Sequence, residues 1–370
     1  MRRLAFVCSV LGSAFGCRQL LGLHELSSDA SMGDATDADL VDAPPGCLGA
    51  GGFSVCPPAS VPPNVFLLGS AGVFDTDTNV SCASQQPPGW VERGQPASCF
   101  VFGAQIVVAM DGIPLSVTGS RPLVIAATES ITATGPIDVA SHTGGSIGPG
   151  ANAKDCDSFG TAGSGAGSAG GAGGSFGTIG GYGGDDGAAL GGLPGPAIAP
   201  VTLHGGCPGQ LIGSIAAPPS GAGGGVVYLT AGASITIHSG IDASGVGGMG
   251  GFPNAGGAGG GTGGMIVLIA PTVDCTGANL FADGGGGGAG GSSAPGSNGA
   301  DPDGSTSCCT GGPSVVGGGG NGAHDGRAAG AGGSGGAPNS GGGGGGGAGY
   351  IMVQGTNLMS PSRSSPAAHF

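Results

Sequence analysis

Residues 227–248 read "VYLTAGASITIHSGIDASGVGG", and residues 123–145 read "LVIAATESITATGPIDVASHTGG". Laid over one another without a gap, they put Ile131 on Ile235, Ile137 on Ile241 and Asp138 on Asp242. A third segment, "IVLIAPTVDCTGANLFADGGGG" from Ile266, puts Val273 on Ile235 and, after one inserted residue, Leu280 on Ile241; a fragment of a fourth, "YIMVQG", begins at Tyr350. Each unit is an apolar strand, a short turn, an alternating "ITI"-like strand, a second turn at a small residue or Gly, a brief "IDAS" strand, and then glycine. Such units suit one coil of a parallel β-solenoid, in which inward Val and Ile stack on the same positions of neighbouring coils. A single coil cannot bury its apolar face, so the units must stack to be stable. Short strands with turn signals also permit a sandwich of hairpins. Recurrence of like segments at like distances from glycine favours the solenoid.

The composition constrains what else holds the chain together. There are 92 Gly and 27 Pro in 370 residues, a fraction usual in low-complexity chains, yet 39% of residues are hydrophobic and only 8% charged, so there is apolar surface to bury. Aromatics are 4%, and glycine loses the most backbone entropy on ordering, so backbone hydrogen bonding must carry an unusual share of the stability. The glycine tracts fall at about 144–193, 221–225, 245–264, 284–300 and 317–349, between the coils. A chain without side chains can take a threefold polyproline-type helix whose backbone groups point outward to neighbours, so the tracts either bundle beside the solenoid or project as loops. In composition they resemble the polymorphic Gly-rich repeat class of mycobacterial surface proteins, although that family's N-terminal helical domain is absent here.

The first residues carry an address. "MRR" is basic, and "LAFVCSVLGSAFG" is an apolar stretch of 13 residues, the length of a secretory signal core and too short to span a bilayer stably. It ends in "SAFGC", which resembles the lipobox of bacterial lipoproteins; Gly16 and Cys17 match that pattern, and Ala14 and Phe15 depart from it. The resemblance implies cleavage before Cys17 and its diacylation, with plain secretion as the alternative. Next comes "RQLLGLHELSSDASMGDATDADLVDAPPG", which has little to bury and reads as an acidic tether. Cys17, the Leu-Leu-Gly-Leu motif and the Asp-Ala tract together resemble the N-termini of uncharacterised Gly-rich myxobacterial surface lipoproteins, which implies an envelope location and a lipid bilayer partner. The expected organisation is an export signal over 1–17, a flexible tether over 18–46, a Cys-containing region over 47–104, an all-β Gly-rich solenoid over 105–355 and a flexible tail over 356–370.

Charge and cysteine content narrow the function. The formal net charge is −14, and beyond Cys17 the basic residues are Lys154 and five arginines without clustering, which argues against nucleic acid and anionic lipid headgroups as partners. With Cys8 and Cys17 set aside, nine cysteines remain, and in an exported chain they read as disulfides with one left over. Cys47 with Cys56 and Cys82 with Cys99 are plausible local pairs; Cys308 and Cys309 are expected to bind different partners, because a bond between neighbours is strained. No CxxC pair occurs, the histidines are isolated in sequence, and no metal-ligand set is assigned.

Other motifs carry little chemistry. "GGYGGD" at 180–185 fits part of a calcium nonapeptide, and "DCD" at 155–157 and "DPDG" at 301–304 suit weak calcium binding, but Asp-Gly turns account for all three. "GGSFG" at 173–177 and "GGSGG" at 332–336 match GxSxG without the strand-to-helix elbow that the nucleophile needs. His142, His204, His238, His324 and His369 read as solvent-facing, and Asp138 and Asp242 as turn caps rather than a catalytic pair. The expectation is a non-enzymatic envelope protein that contacts envelope or matrix components. The alternative is a secreted β-helix that binds or cleaves carbohydrate; a flat binding face would need a ladder of Thr or aromatic residues, and of these only Thr132 and Thr236 coincide.

Overall fold

The computed structural model describes residues 43–67, 73–109, 113–154, 156, 167–187, 189–211, 219–305, 308–336 and 340–370. The export signal, Cys17 and the tether up to residue 42 lie outside the described residues. The described chain is mostly β, and its named strands pair only in parallel.

Successive passages of the chain lie on one another. The first holds β1 (Asn64–Leu67) and β2 (Phe74–Asp75), the next β3 (Cys99–Val108) and β4 (Leu115–Thr118), the next β5 (Leu123–Ala133) and β6 (Ile137–Asp138). Three passages follow: β7 (Val226–Ala231), β8 (Ser234–Ile237) and β9 (Gly240–Asp242); β10 (Met265–Ile269), β11 (Thr272–Asp274) and β12 (Asn279–Phe281); β13 (Tyr350–Gln354), β14 (Asn357–Met359) and β15 (Arg363–Ser365). A 9-stranded sheet runs β13-β10-β7-β5-β8-β11-β14, with β3 joined to β5 and β1 to β3; a 6-stranded sheet runs β15-β12-β9-β6-β4-β2. The long β5 pairs with β7 through Leu123–Ala127 and with β8 through Ser130–Ala133, so one strand there does the work of two elsewhere.

The registers match the alignment read from the sequence. Ile131 pairs with Ile235 and Ile235 with Val273, while Ile137 pairs with Ile241 and Ile241 with Leu280. These side chains are buried in one core with Leu123, Ile125, Val227, Leu229, Ile266 and Leu268. The opposite face of β5, β7 and β10 is also covered: Val124, Tyr228 and Val267 join Phe53, Trp90, Phe100, Phe176 and Leu203 in a second cluster. Burial on both faces explains why β7 reads as a continuous run rather than an alternation.

The glycine tracts are hydrogen-bonded to one another. Amides of the tract 341–349 donate in rotation: Gly341, Gly344 and Gly347 to Ser168, Gly171 and Gly174; Gly342 and Gly345 to Gly333 and Gly330; Gly343, Gly346 and Gly349 to Gly288, Gly285 and Ala282. Its carbonyls accept in the same rotation: Gly341, Gly344 and Gly347 from Gly257, Gly260 and Gly263; Gly342, Gly345 and Ala348 from Gly184, Gly181 and Thr178; Gly343 and Gly346 from Gly320 and Ala323. Bonds that return every third residue belong to a chain with three residues per turn. Neighbours crowd its glycines, and a Cβ on Gly346 would lie 1.9 Å from the Gly261 carbonyl oxygen.

Several expectations need correction. Residues 356–370 form no loose tail: β14 and β15 add a further passage, and the backbone of Val353 donates to His369 while that of His369 donates to Ile351, covering part of the β13 edge. The boundary at 104/105 falls inside β3, because Val101 and Ile106 sit in the same core as the later units. Cys308 and Cys309 are bonded to each other, the other bonds among the described residues being Cys47–Cys56, Cys82–Cys99 and Cys156–Cys207. Cys275 is left free and buried, and burial pushes its thiol pKa up to about 12. His204 and His324 are buried rather than solvent-facing, His204 stacked on Phe176 and His324 bonded to the Gly322 carbonyl.

Candidate functional site

The outward face shared by β1, the C-terminal halves of β3 and β5, and β8, β11 and β14 carries a ladder set by the pleat. Because side chains alternate along a strand, burying Ile106, Ile131, Ile235 and Val273 turns their neighbours outward. One row in register is Asn64, Gln105, Ser130, Ser234, Thr272 and Asn357. The row beside it is Phe66, Val107, Thr132, Thr236, Asp274 and Met359. Each row repeats at the strand spacing of about 4.8 Å. The first row is entirely amide and hydroxyl, groups that both donate and accept hydrogen bonds. Gln105 additionally donates to Glu129 at 2.8 Å. In the second row Thr132 and Thr236 are direct neighbours, as their alignment implied, and the row is closed at its ends by Phe66 and Met359. Asp274 accepts the backbone N–H of Thr276 at 2.9 Å, and that bond holds its carboxyl below the usual range.

The brief strands β6 and β9 each end in an acid. Asp138 and Asp242 stack in register, and each accepts a backbone N–H two residues on, from Ala140 and Ser244, as turn caps do. His142 lies 3.1 Å from Asp138, and that hydrogen bond raises the imidazole pKa. Asp301 accepts from the Thr143 backbone and hydroxyl and from the Gly247 backbone, tying two glycine tracts together. Deeper in, Asp283 is fully buried; its Oδ1 accepts the Ser365 hydroxyl, its Oδ2 has no partner among the described residues, and burial pushes its pKa up to about 7. Ser365 in turn accepts the Asp325 backbone N–H, and Asp325 pairs with Arg363.

The motifs singled out in the glycine tracts do structural work. Asp185 of "GGYGGD" accepts the Gly191 N–H at 2.7 Å, and Asp303 of "DPDG" accepts that of Ser305 at 2.8 Å. Asp155 and Asp157 lie outside the described residues. Ser175 of "GGSFG" is buried and accepts the Gly180 N–H at 3.0 Å.

Two clusters were invisible in the sequence: Cys156 with His204 and Cys207, and Cys308 with Cys309 and His324, each with its ligand atoms within 4.8 Å of one another. The sequence does not announce them, because Cys156 lies 48 residues before His204 and His324 lies 15 residues after the Cys308–Cys309 dipeptide, so only the fold brings each set together. Among the described residues no helix is long and apolar enough to cross a membrane. Compared with protein-family models, curated proteins and solved structures, the chain matches none of them.

Proposed function

We propose that the chain is a non-enzymatic cell-envelope surface protein, an exported parallel β-solenoid that carries a polyproline-II-type glycine bundle. Diacylated Cys17 anchors it in the outer membrane and the acidic segment 18–46 serves as its tether. Its role is structural, adhesive or matrix contact, and its partners are envelope or extracellular matrix components rather than nucleic acid. The observation that carries this reading is the in-register polar ladder from Asn64 to Asn357 on a densely hydrogen-bonded scaffold. An in-register array of amides and hydroxyls matches a repetitive polar surface better than a single small ligand. The parallel registers support the solenoid, the three-residue hydrogen-bond rotation supports the glycine bundle, and the bonded cysteine pairs suit an oxidising compartment.

The testing experiment combines intact-mass and peptide analysis of the mature N-terminus from membrane fractions with protease shaving of whole cells. A diacylated Cys17, with shaved peptides from the described region, is the expected result. An unmodified N-terminus in the culture medium would overturn the anchored reading. The second reading, a secreted carbohydrate-binding or carbohydrate-active protein, is favoured by the adjacent Thr132 and Thr236. It predicts retention on insoluble polysaccharide that Thr132→Lys with Thr236→Lys abolishes.

A further inference from the structure

Four disulfides are formed among the described residues, and three of them span sequence: Cys47–Cys56 closes 9 residues, Cys82–Cys99 17 and Cys156–Cys207 51. A cross-link stabilises chiefly by closing a loop in the unfolded chain, and Cys308–Cys309, with a separation of 1, closes none. Its place in the structure therefore calls for another reason. Cys309 holds φ at 64°, a left-handed conformation uncommon for a residue with a side chain.

His324 faces that pair. It is 4% exposed, Cys308 4% and Cys309 1%, and the ligand atoms of all three lie within 4.8 Å of one another. Its Nδ1 lies 3.0 Å from the Gly322 carbonyl oxygen, and its Nε2 has no hydrogen-bond partner among the described residues. An imidazole that gives its Nδ1 proton to a backbone carbonyl keeps a lone pair on Nε2, the usual arrangement of a metal-bound histidine. A buried ring nitrogen left without a partner costs stability unless something else occupies it. The glycine lattice fixes both halves of the site: the Gly322 N–H donates to the Cys309 carbonyl at 2.7 Å, and the Ala323 N–H to Gly346 at 2.9 Å.

We infer that Cys308, Cys309 and His324 form a binding site for copper(I) when the two sulfurs are reduced. Two thiolates and one imidazole are a soft donor set, which selects copper(I) or zinc. Structural zinc takes four ligands and catalytic zinc keeps a water, whereas this cluster has three donors, all of them buried. The chemistry balances with a small-molecule thiol as reductant: two RSH reduce the Cys308–Cys309 bond to two thiols and leave as RSSR. Copper(I) then displaces both thiol protons to solvent, leaving Cu(I) bound to two thiolates and the neutral His324. The disulfide is the empty, oxidised state of the site. Cys156, His204 and Cys207 make a similar cluster, but their bond ties segments 51 residues apart and acts as a cross-link.

The test is anaerobic titration of the full chain, reduced with excess thiol, by copper(I) in competition with bicinchoninate. It is run on wild type, Cys308→Ser/Cys309→Ser and His324→Ala. Iodoacetamide mapping of protected cysteines accompanies it. The expected result is one fewer copper in the double serine variant, binding at this site weaker by more than about 10-fold in His324→Ala, and protection of Cys308 and Cys309 by copper in wild type alone. A chain unfolded by reduction would bind through its thiols regardless of His324. Equal stoichiometry in all three proteins, or copper protection of both cysteines that survives His324→Ala, would overturn the site.

Discussion

Asp283 gives the folded chain a specific response to pH. Its carboxyl sits fully buried between the Ser365 hydroxyl and an unpartnered side, and burial lifts its pKa from 3.8 to about 7. In the unfolded chain the same group ionises near 3.9. Between about pH 4 and pH 7 the folded protein therefore holds a proton that the unfolded chain has released, and folding grows less favourable as pH rises through that window. The linked loss is on the order of 3 kcal/mol. Denaturant midpoints for wild type should fall from pH 4.5 to pH 8, and Asp283→Asn should flatten that fall; parallel profiles for the two proteins would remove Asp283 as the cause. Tyr228 is a second residue whose role follows from burial. Its hydroxyl donates to the Phe53 carbonyl at 2.7 Å, so Tyr228→Phe leaves that carbonyl short of a partner and should cost about 1–2 kcal/mol in chemical denaturation. Neither residue announced itself in the sequence. Asp283 follows "FA" and precedes glycine like any turn residue, and the fold buries it by bringing Ser365 of β15 onto its carboxyl and Ser244 and Gly245 onto its backbone.

Strand and tract obey opposite rules for side-chain size. Ile235 is buried between Ile131 and Val273 on the passages either side, so Ile235→Ala opens a cavity in the stack and should cost about 2–5 kcal/mol. In the glycine lattice an added methyl does the harm: Gly346→Ala would press its Cβ to 1.9 Å from the Gly261 oxygen, and the expected destabilisation is about 3 kcal/mol. Gly336→Ala meets nothing within 4 Å and should stay within about 0.5 kcal/mol of wild type, so thermal melts of the two alanine variants separate crowding from propensity. Period-two patterning made β8 and its partners readable in advance. β1 to β4 were not read as passages because no glycine tract separates them from one another, and β3, with "CFVFGAQIVV", carries two strand positions in one run.

The whole molecule joins two ways of saturating a backbone. Sheet ladders run through β1 to β15, and the glycine tracts bond sideways to several neighbours at once. Amide hydrogen exchange should therefore show the tract 341–349 protected to the same degree as β7 and β10. Complete exchange of that tract at the earliest time point would mean that its bonds open independently of the sheets. The repeat, its inward Ile and Val, and the positions of the glycine tracts were determined by the sequence alone, because side-chain alternation and the demand to bury an apolar face act locally and recur. Which tract bonds which, the pairing of Cys308 with Cys309, the approach of His324 and the burial of Asp283 were decided only by tertiary structure. The reason is physical: glycine has no side chain to encode a partner, so the neighbours of each tract follow from where the stacked strands deliver its two ends.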